Sequence, residues 1–103
     1  MKIAVASNGK DENSQISPVG GRAPYYLIFE GKTLTKVISN PFRIGGGAGW
    51  GVARMLADEE VNVVVVGRLG ENMKAALAEN GIKCIEMSGT VKDAVESISG
   101  KNA

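Results

Sequence analysis

The chain has 103 residues, enough for one hydrophobic core and too few for a second domain. Its formal net charge is +1, from 12 basic and 11 acidic side chains, so it lacks the strong basic excess expected of an electrostatic nucleic-acid binder. It has no histidine and one cysteine, Cys84, which excludes Ser-His-Asp and Cys-His catalysis, imidazole-based zinc sites and an internal disulfide.

No stretch approaches the roughly 18 consecutive apolar residues of a membrane span. The N-terminus, Met1 to Asn8, turns polar too soon for a signal peptide. With a single cysteine, the expected compartment is the reducing cytoplasm. The expected organisation is one domain over 1–103.

Lys2 to Ala6 reads as a short buried strand. Ser7 to Gly21 is a polar segment rich in turn formers, longer than most connections, and such loops tend to be functional or disordered. Tyr25 to Glu30 is a strand on aromatic and β-branched content. Gly31-Lys32 then suits a type II′ hairpin turn into Thr33 to Ser39. Strict alternation puts Leu34, Lys36 and Ile38 on one face of that strand and Thr33, Thr35, Val37 and Ser39 on the other. Asn40-Pro41 ends it.

Gly45 to Gly51 follows, five glycines in seven residues. A helix is expected from about Trp50 to Glu60, with Val52, Met55 and Leu56 on its apolar face. Val61 to Val66 is an almost continuous apolar run, the mark of a parallel strand buried on both faces. After the turn Gly67 to Gly70 comes a helix, Glu71 to Asn80, stopped by Asn80-Gly81. Ile82 to Met87 is the last strand. Thr90 and Asp93 have capping-box spacing ahead of a final helix striped with Val91, Ala94, Val95 and Ile98. The order strand, hairpin, helix, strand, helix, strand, helix predicts a mixed five-stranded sheet with helices on its faces.

Three turns precede helices: Gly45 to Gly51, Gly67 to Gly70 and Ser88 to Thr90. In a parallel arrangement the last two lie beyond the carboxyl ends of strands, where ligands bind in such folds. Helix N-termini there offer unpaired N–H groups, and Arg68 adds a full charge, so an anionic ligand is the physical expectation. Neither G-x-G-x-x-G nor the phosphate-loop pattern fits the glycine run, so no nucleotide fingerprint is present. The alternative is that these glycines only let the chain turn sharply and a helix approach the sheet.

Cys84, mid-strand between Lys83 and Ile85, reads as a core residue, with a metal ligand or reactive thiol as the other option. Met55, Met73 and Met87 read as core. Asp58-Glu59-Glu60 reads as a solvated helix end, and Asp11 and Glu12 as loop surface charge. Trp50 is either a buried plug at a helix start or an exposed contact residue.

Several segments together carry a resemblance. They are Gly21-Arg22-Ala23-Pro24-Tyr25-Tyr26, Asn40-Pro41, Gly45-Gly46-Gly47-Ala48-Gly49, Val64 to Gly70, Ala78 to Lys83, Gly89-Thr90-Val91 and Asp93-Ala94-Val95. In this order they resemble the dinitrogenase iron–molybdenum cofactor biosynthesis family, the NifX and NifB C-terminal-like domains, over nearly the whole chain. The resemblance implies a ribonuclease-H-like fold: a five-stranded mixed sheet of order 3-2-1-4-5, strand 2 antiparallel, with about three helices. It does not imply nuclease chemistry, because the first strand, Ile3 to Ala6, offers no carboxylate for magnesium.

The resemblance further implies a non-catalytic carrier that transiently binds an iron–sulfur or iron–molybdenum cluster, or a precursor, and works with metallocluster assembly or acceptor proteins. The implied site comprises Asn8, Gly21, Arg22, Gly45, Gly46, Gly47, Gly49, Gly67, Arg68 and Gly70. Their N–H groups and guanidinium groups would hold an anionic cargo; direct metal ligands are not specified. No nucleic acid and no membrane are expected, and the chain is expected to be a monomer or weak homo-oligomer. The alternative is a small protein-interaction module using the edge strand Thr33–Ser39 and the 8–21 loop.

Overall fold

A computed structural model describes residues 1–42 and 48–101. Five strands form one sheet: β1 (Lys2–Ser7), β2 (Tyr25–Glu30), β3 (Thr33–Ser39), β4 (Val63–Val66) and β5 (Lys83–Glu86). Three helices accompany them: α1 (Ala48–Asp58), α2 (Glu71–Glu79) and α3 (Val91–Lys101). The spatial order is β3-β2-β1-β4-β5. β1 pairs antiparallel with β2 and parallel with β4, β2 pairs antiparallel with β3, and β4 pairs parallel with β5. This is the mixed sheet implied by the resemblance, with strand 2 reversed.

The all-apolar run of β1 and the four valines of β4 are explained by their central positions, buried on both faces. On one face α1 and α2 cover Ala4, Tyr26, Ile28, Val64 and Val66 with Val52, Leu56, Met73 and Leu77. On the other, α3 covers Ile3, Val5, Leu27, Phe29 and Val65 with Val91, Ala94, Val95 and Ile98. The result is three layers around a two-sided core.

The β2–β3 hairpin closes over two residues, with the positive φ of 60° confined to Gly31, as a type II′ turn requires. The predicted alternation of β3 fails. Its register slips between Ile28 and Phe29, so Ile28 faces Lys36 while Phe29 faces Leu34. Thr35 is the extra residue, and its hydroxyl donates to the Ile28 carbonyl at 3.2 Å. One bulge flips everything before it to the other face. Leu34 therefore packs on the α3 side and Ile38 on the α1–α2 side, not together. Lys36 stays on the α1 side and reaches the Glu59 carboxylate at 2.7 Å.

α1 begins at Ala48, two residues before the predicted start, and includes both Gly49 and Gly51. The 8–21 segment is anchored through backbone bonds. Asn8 N–H donates to Gln15 C=O, Ser17 N–H to Ala6 C=O and Ile16 N–H to Gly89 C=O. Its Ile16 side chain joins the α3-side core.

Candidate functional site

β1, β3, β4 and β5 run in one direction, so their carboxyl ends share one edge of the sheet. The segments leaving there are the 8–24 connection, Asn40–Phe42, Gly67–Gly70 and Met87–Thr90. A short 3-10 turn, Gly20–Arg22, packs against α1 at this edge.

Most of the predicted residues that are described meet around this turn. Gly20 N–H donates to the Arg68 carbonyl at 3.3 Å, tying the turn to the 67–70 segment. Gly67 N–H donates to the Ser17 carbonyl at 2.9 Å. A Cβ at Gly67 would fall 2.6 Å from Pro18 Cα, so this glycine permits backbone contact between the two segments. Gly21 C=O accepts from the Asn40 amide at 3.1 Å. Gly49 lies against the Met73 backbone at the start of α2. Arg22 and Arg68 are exposed. Gly70 caps α2 without a side-chain bond and has open space around it. Asn8, also exposed, lies on the other arm of the connection, bonded to Gln15 rather than to this zone. Gly45, Gly46 and Gly47 lie outside the described residues.

The helix ends are not equivalent. At α3, Val91 N–H donates to Ser14 C=O at 2.9 Å and Lys92 N–H to Glu12 C=O at 2.8 Å. Asp93 N–H donates to Thr90 Oγ1 at 3.2 Å, which gives the predicted cap. The expectation of unpaired donors at this helix is therefore corrected: the 8–21 segment has already consumed them. α2 is capped by Gly70 without a side-chain bond, and two carboxylates already meet its positive end: Glu71 in its first turn and Glu86, which accepts from Leu69 N–H at 2.8 Å. Arg68 has no ion-pair partner among the described residues.

Two exposed apolar side chains flank this zone, Val19 before the 3-10 turn and Trp50 in the first turn of α1. Trp50, 44% exposed, takes the contact option rather than the plug.

Cys84 is not the core residue expected. β5 is an edge strand, and its thiol is half-buried in a cavity of about 520 Å³ with Leu77, Ile82, Lys74 and Glu86. Burial and the Glu86 carboxylate push its pKa up to about 11, against the opposing pull of Lys74. Among the described residues no three His, Cys, Asp or Glu side chains gather as metal ligands. A neutral thiol alkylates slowly, because the thiolate is the nucleophile. The iodoacetamide rate of the folded protein is expected to keep climbing with pH above 9 and to level off only toward 11. In the unfolded chain it should level off near 9. A plateau near 9 in the folded protein would contradict this environment. By the same linkage, whatever stability the neutral thiol contributes is present below about pH 9 and is lost as pH rises toward 11.

Sequence reasoning passed over two residues that build the site. Asn40, read only as a strand end, is 4% exposed. Its amide donates to Gly21 C=O and, at 2.9 Å, to Ala23 C=O, while its Oδ1 accepts Phe42 N–H at 2.9 Å. Tyr26 is fully buried, and its hydroxyl donates to Gly20 C=O. Burial holds its hydroxyl far from ionisation. Asn40-Pro41 gave a faint signal, since a side-chain amide at a strand end often bonds local backbone; Tyr26 gave none.

A mixed 3-2-1-4-5 sheet with helices on both faces places the molecule among the ribonuclease-H-like α/β domains, here with a glycine-lined, arginine-bearing carboxyl edge. Within that class the chain belongs to the family described as dinitrogenase iron-molybdenum cofactor, whose model matches residues 1–101. No curated protein matches it by sequence. Among solved structures it is similar to the apo form of the orange protein from Desulfovibrio gigas, at 28% identity and TM-score 0.87, covering 97% of this chain and 88% of that one. It is also similar to a protein from Thermotoga assigned as a NifB protein, at 28% identity and TM-score 0.82, covering 96% and 87%. A protein from Methanocaldococcus jannaschii assigned as a dinitrogenase shares the fold, at 16% identity and TM-score 0.69, covering 98% and 89%. Among the described residues no helix is long and apolar enough to cross a membrane.

Proposed function

We propose that this protein is a non-catalytic carrier that holds an iron–sulfur or iron–molybdenum cluster, or a precursor of one, during metallocofactor assembly. The cluster is cargo, received from and passed to assembly or acceptor proteins. The family match over residues 1–101 carries the reading, and the sheet edge supports it physically. Such clusters are anionic, and the edge carries the exposed Arg22 and Arg68. The donor set fits outer-sphere holding rather than ligation. Guanidinium and N–H groups would meet the cluster's sulfides and any carboxylate oxygens it carries, while the one thiol is half-buried beside β5 and held neutral. Loose holding without covalent ligands suits a carrier, which must release what it binds. Val19 and Trp50 add apolar surface beside the same edge.

The interaction-module reading through β3 has less support. Its open edge is interrupted by the Thr35 bulge and carries Lys36, two features that discourage an added strand.

The test is anaerobic titration with preformed iron–sulfur and iron–molybdenum clusters, read by native mass spectrometry. Wild type is expected to retain one cluster per chain or per dimer. A charged hydrogen bond is worth about 1.5–3 kcal/mol, so Arg22→Ala with Arg68→Ala is expected to weaken retention about a hundredfold or more. Failure of folded wild type to retain either cluster would remove the carrier reading. Equal retention by the folded double variant would move the site elsewhere.

A further inference from the structure

Two asparagines in the chain precede glycine, Asn8-Gly9 and Asn80-Gly81. Such a pair is set up for attack of the chain on itself. The glycine's peptide nitrogen stands one residue from the side-chain amide carbon, and glycine has no Cβ to shield it. Joining the two atoms gives a five-membered ring. Both asparagines are exposed, so access to water does not separate them. Their hydrogen bonds do.

Asn80 is the C-cap of α2, where both reacting groups are committed. Its Nδ2 donates to Ala76 C=O at 2.8 Å. Gly81 N–H donates to Ala78 C=O at 3.1 Å and Ile82 N–H to Leu77 C=O at 2.9 Å, the bonds of a Schellman helix end, with Gly81 at a φ of 70°. Ring closure needs Cβ and the glycine nitrogen eclipsed about the Cα–C bond. At the Asn80 ψ of 6° that nitrogen eclipses the residue's own backbone nitrogen instead. The helix end must open before Asn80 can react.

Asn8 carries none of these restraints. Its side chain makes no hydrogen bond among the described residues, and its own N–H is tied to Gln15 C=O, on the far side of the bond that must turn. Gly9 N–H reaches only the Ser7 hydroxyl, at 3.2 Å, the long end of the hydrogen-bond range. Turning the Asn8–Gly9 peptide breaks that contact and the 2.7 Å bond from Ser7 Oγ to Gly9 C=O. Both lie within three residues, and no helix or strand opens.

We propose that Asn8 is a site of spontaneous deamidation, and that Asn80, with the same neighbour, is protected by its helix end. Gly9 N–H gives its proton to solvent base, and the nitrogen bonds to Asn8 Cγ. The Cγ–Nδ2 bond breaks, and Nδ2 takes a proton from water and leaves as ammonia. Water then opens the ring at either carbonyl, leaving an aspartyl or an isoaspartyl link. Nothing is oxidised or reduced. Either product adds a negative charge at the carboxyl end of β1. The isoaspartyl product also adds a main-chain carbon where Asn8 N–H ties the 8–21 segment to Gln15. That segment holds the N-terminus of α3 through the Glu12 and Ser14 carbonyls, so the change reaches the helix. None of this chemistry involves the cargo.

The test incubates the full chain at mildly alkaline pH, once folded and once unfolded in guanidinium chloride, and follows tryptic peptides by mass spectrometry. Cleavage after Lys2 and Lys10 puts Asn8 on peptide 3–10, and cleavage after Lys74 and Lys83 puts Asn80 on peptide 75–83. A gain of one mass unit reports each conversion. The unfolded chain is expected to convert both at similar rates. In the folded chain, peptide 75–83 is expected to slow about tenfold or more, because its helix end must open, while peptide 3–10 keeps most of its rate. Part of the product at position 8 is expected to accept a methyl group from an isoaspartate methyltransferase. Equal slowing of both peptides on folding would overturn the proposal. So would a product at position 8 that is aspartyl alone, since direct hydrolysis of the side chain gives that without a ring.

Discussion

Asn40→Ala is expected to lower the unfolding free energy by about 3 kcal/mol, at roughly 1 kcal/mol for each of three bonds to buried or partly buried backbone. The side chain is 4% exposed and gives all its capacity to local structure: two donations, to Gly21 and Ala23, and one acceptance, from Phe42 N–H. Alanine leaves all three backbone groups without that partner. Asn40→Asp separates the contributions. It keeps the acceptor for Phe42 but turns a carboxylate oxygen on two carbonyls, so it is expected to be no more stable than the alanine variant. Urea unfolding followed by circular dichroism measures both. A loss below about 1 kcal/mol for Asn40→Ala would mean that water replaces the amide and that the turn at Gly20–Arg22 is held by other contacts.

Gly67→Ala is expected to cost about 2–3 kcal/mol, the upper range for overpacking a filled site. Its added carbon would meet Pro18 Cα at 2.6 Å and Ser17 C=O at 2.7 Å, and both are backbone atoms that no rotamer change can move. Relief requires the 17–18 segment to lift, which stretches the Gly67 N–H bond to Ser17. Gly70→Ala is the control. Nothing lies within 4 Å of its added carbon, and its φ of −77° suits any residue. The loss of a glycine N-cap should cost it less than about 1 kcal/mol. Equal midpoints in urea for the two variants would refute the contact between these segments.

These two residues also mark where sequence reading succeeds and where it stops. The bounds of β2 and β3 were legible because aromatic and β-branched runs stand between glycine and proline. The inner face of β3 was not, because period-two reasoning assumes an unbroken ladder, and Thr35 breaks it. The start of α1 was hidden by its glycines, the poorest helix formers after proline. Packing overrides that propensity: Gly49 lets α1 lie against the Met73 backbone, and Gly51 provides the seat for the Phe42 ring. The half-exposed state of Cys84 was not legible either, since the short run Lys83-Cys84-Ile85-Glu86 does not announce whether it will be central or an edge. At the carboxyl edge, the glycine turns and arginines were visible as residue types at the ends of strands. Asn40 and Tyr26 were not, because what they do depends on the backbone brought beside them, and that is decided by the fold.

The position of β1 has a consequence for how the molecule is made. Of the five strands, the first in chain order is the middle strand of the finished sheet. Its neighbour β2 follows within the same meander, but its other neighbour, β4, is far away in the chain: Lys2 N–H bonds the Asn62 side chain across 60 positions. The meander β1–β2–β3 can assemble from local contacts, yet one flank of Ile3 to Ala6 stays bare until β4 has been synthesised. Closing that long loop is the step that spends the most chain entropy, so it sets the pace of folding. Until it happens, the nascent chain presents a strand whose Ile3 to Ala6 are fully buried in the finished fold, with one side unpaired, and that interval is when it is most exposed to aggregation.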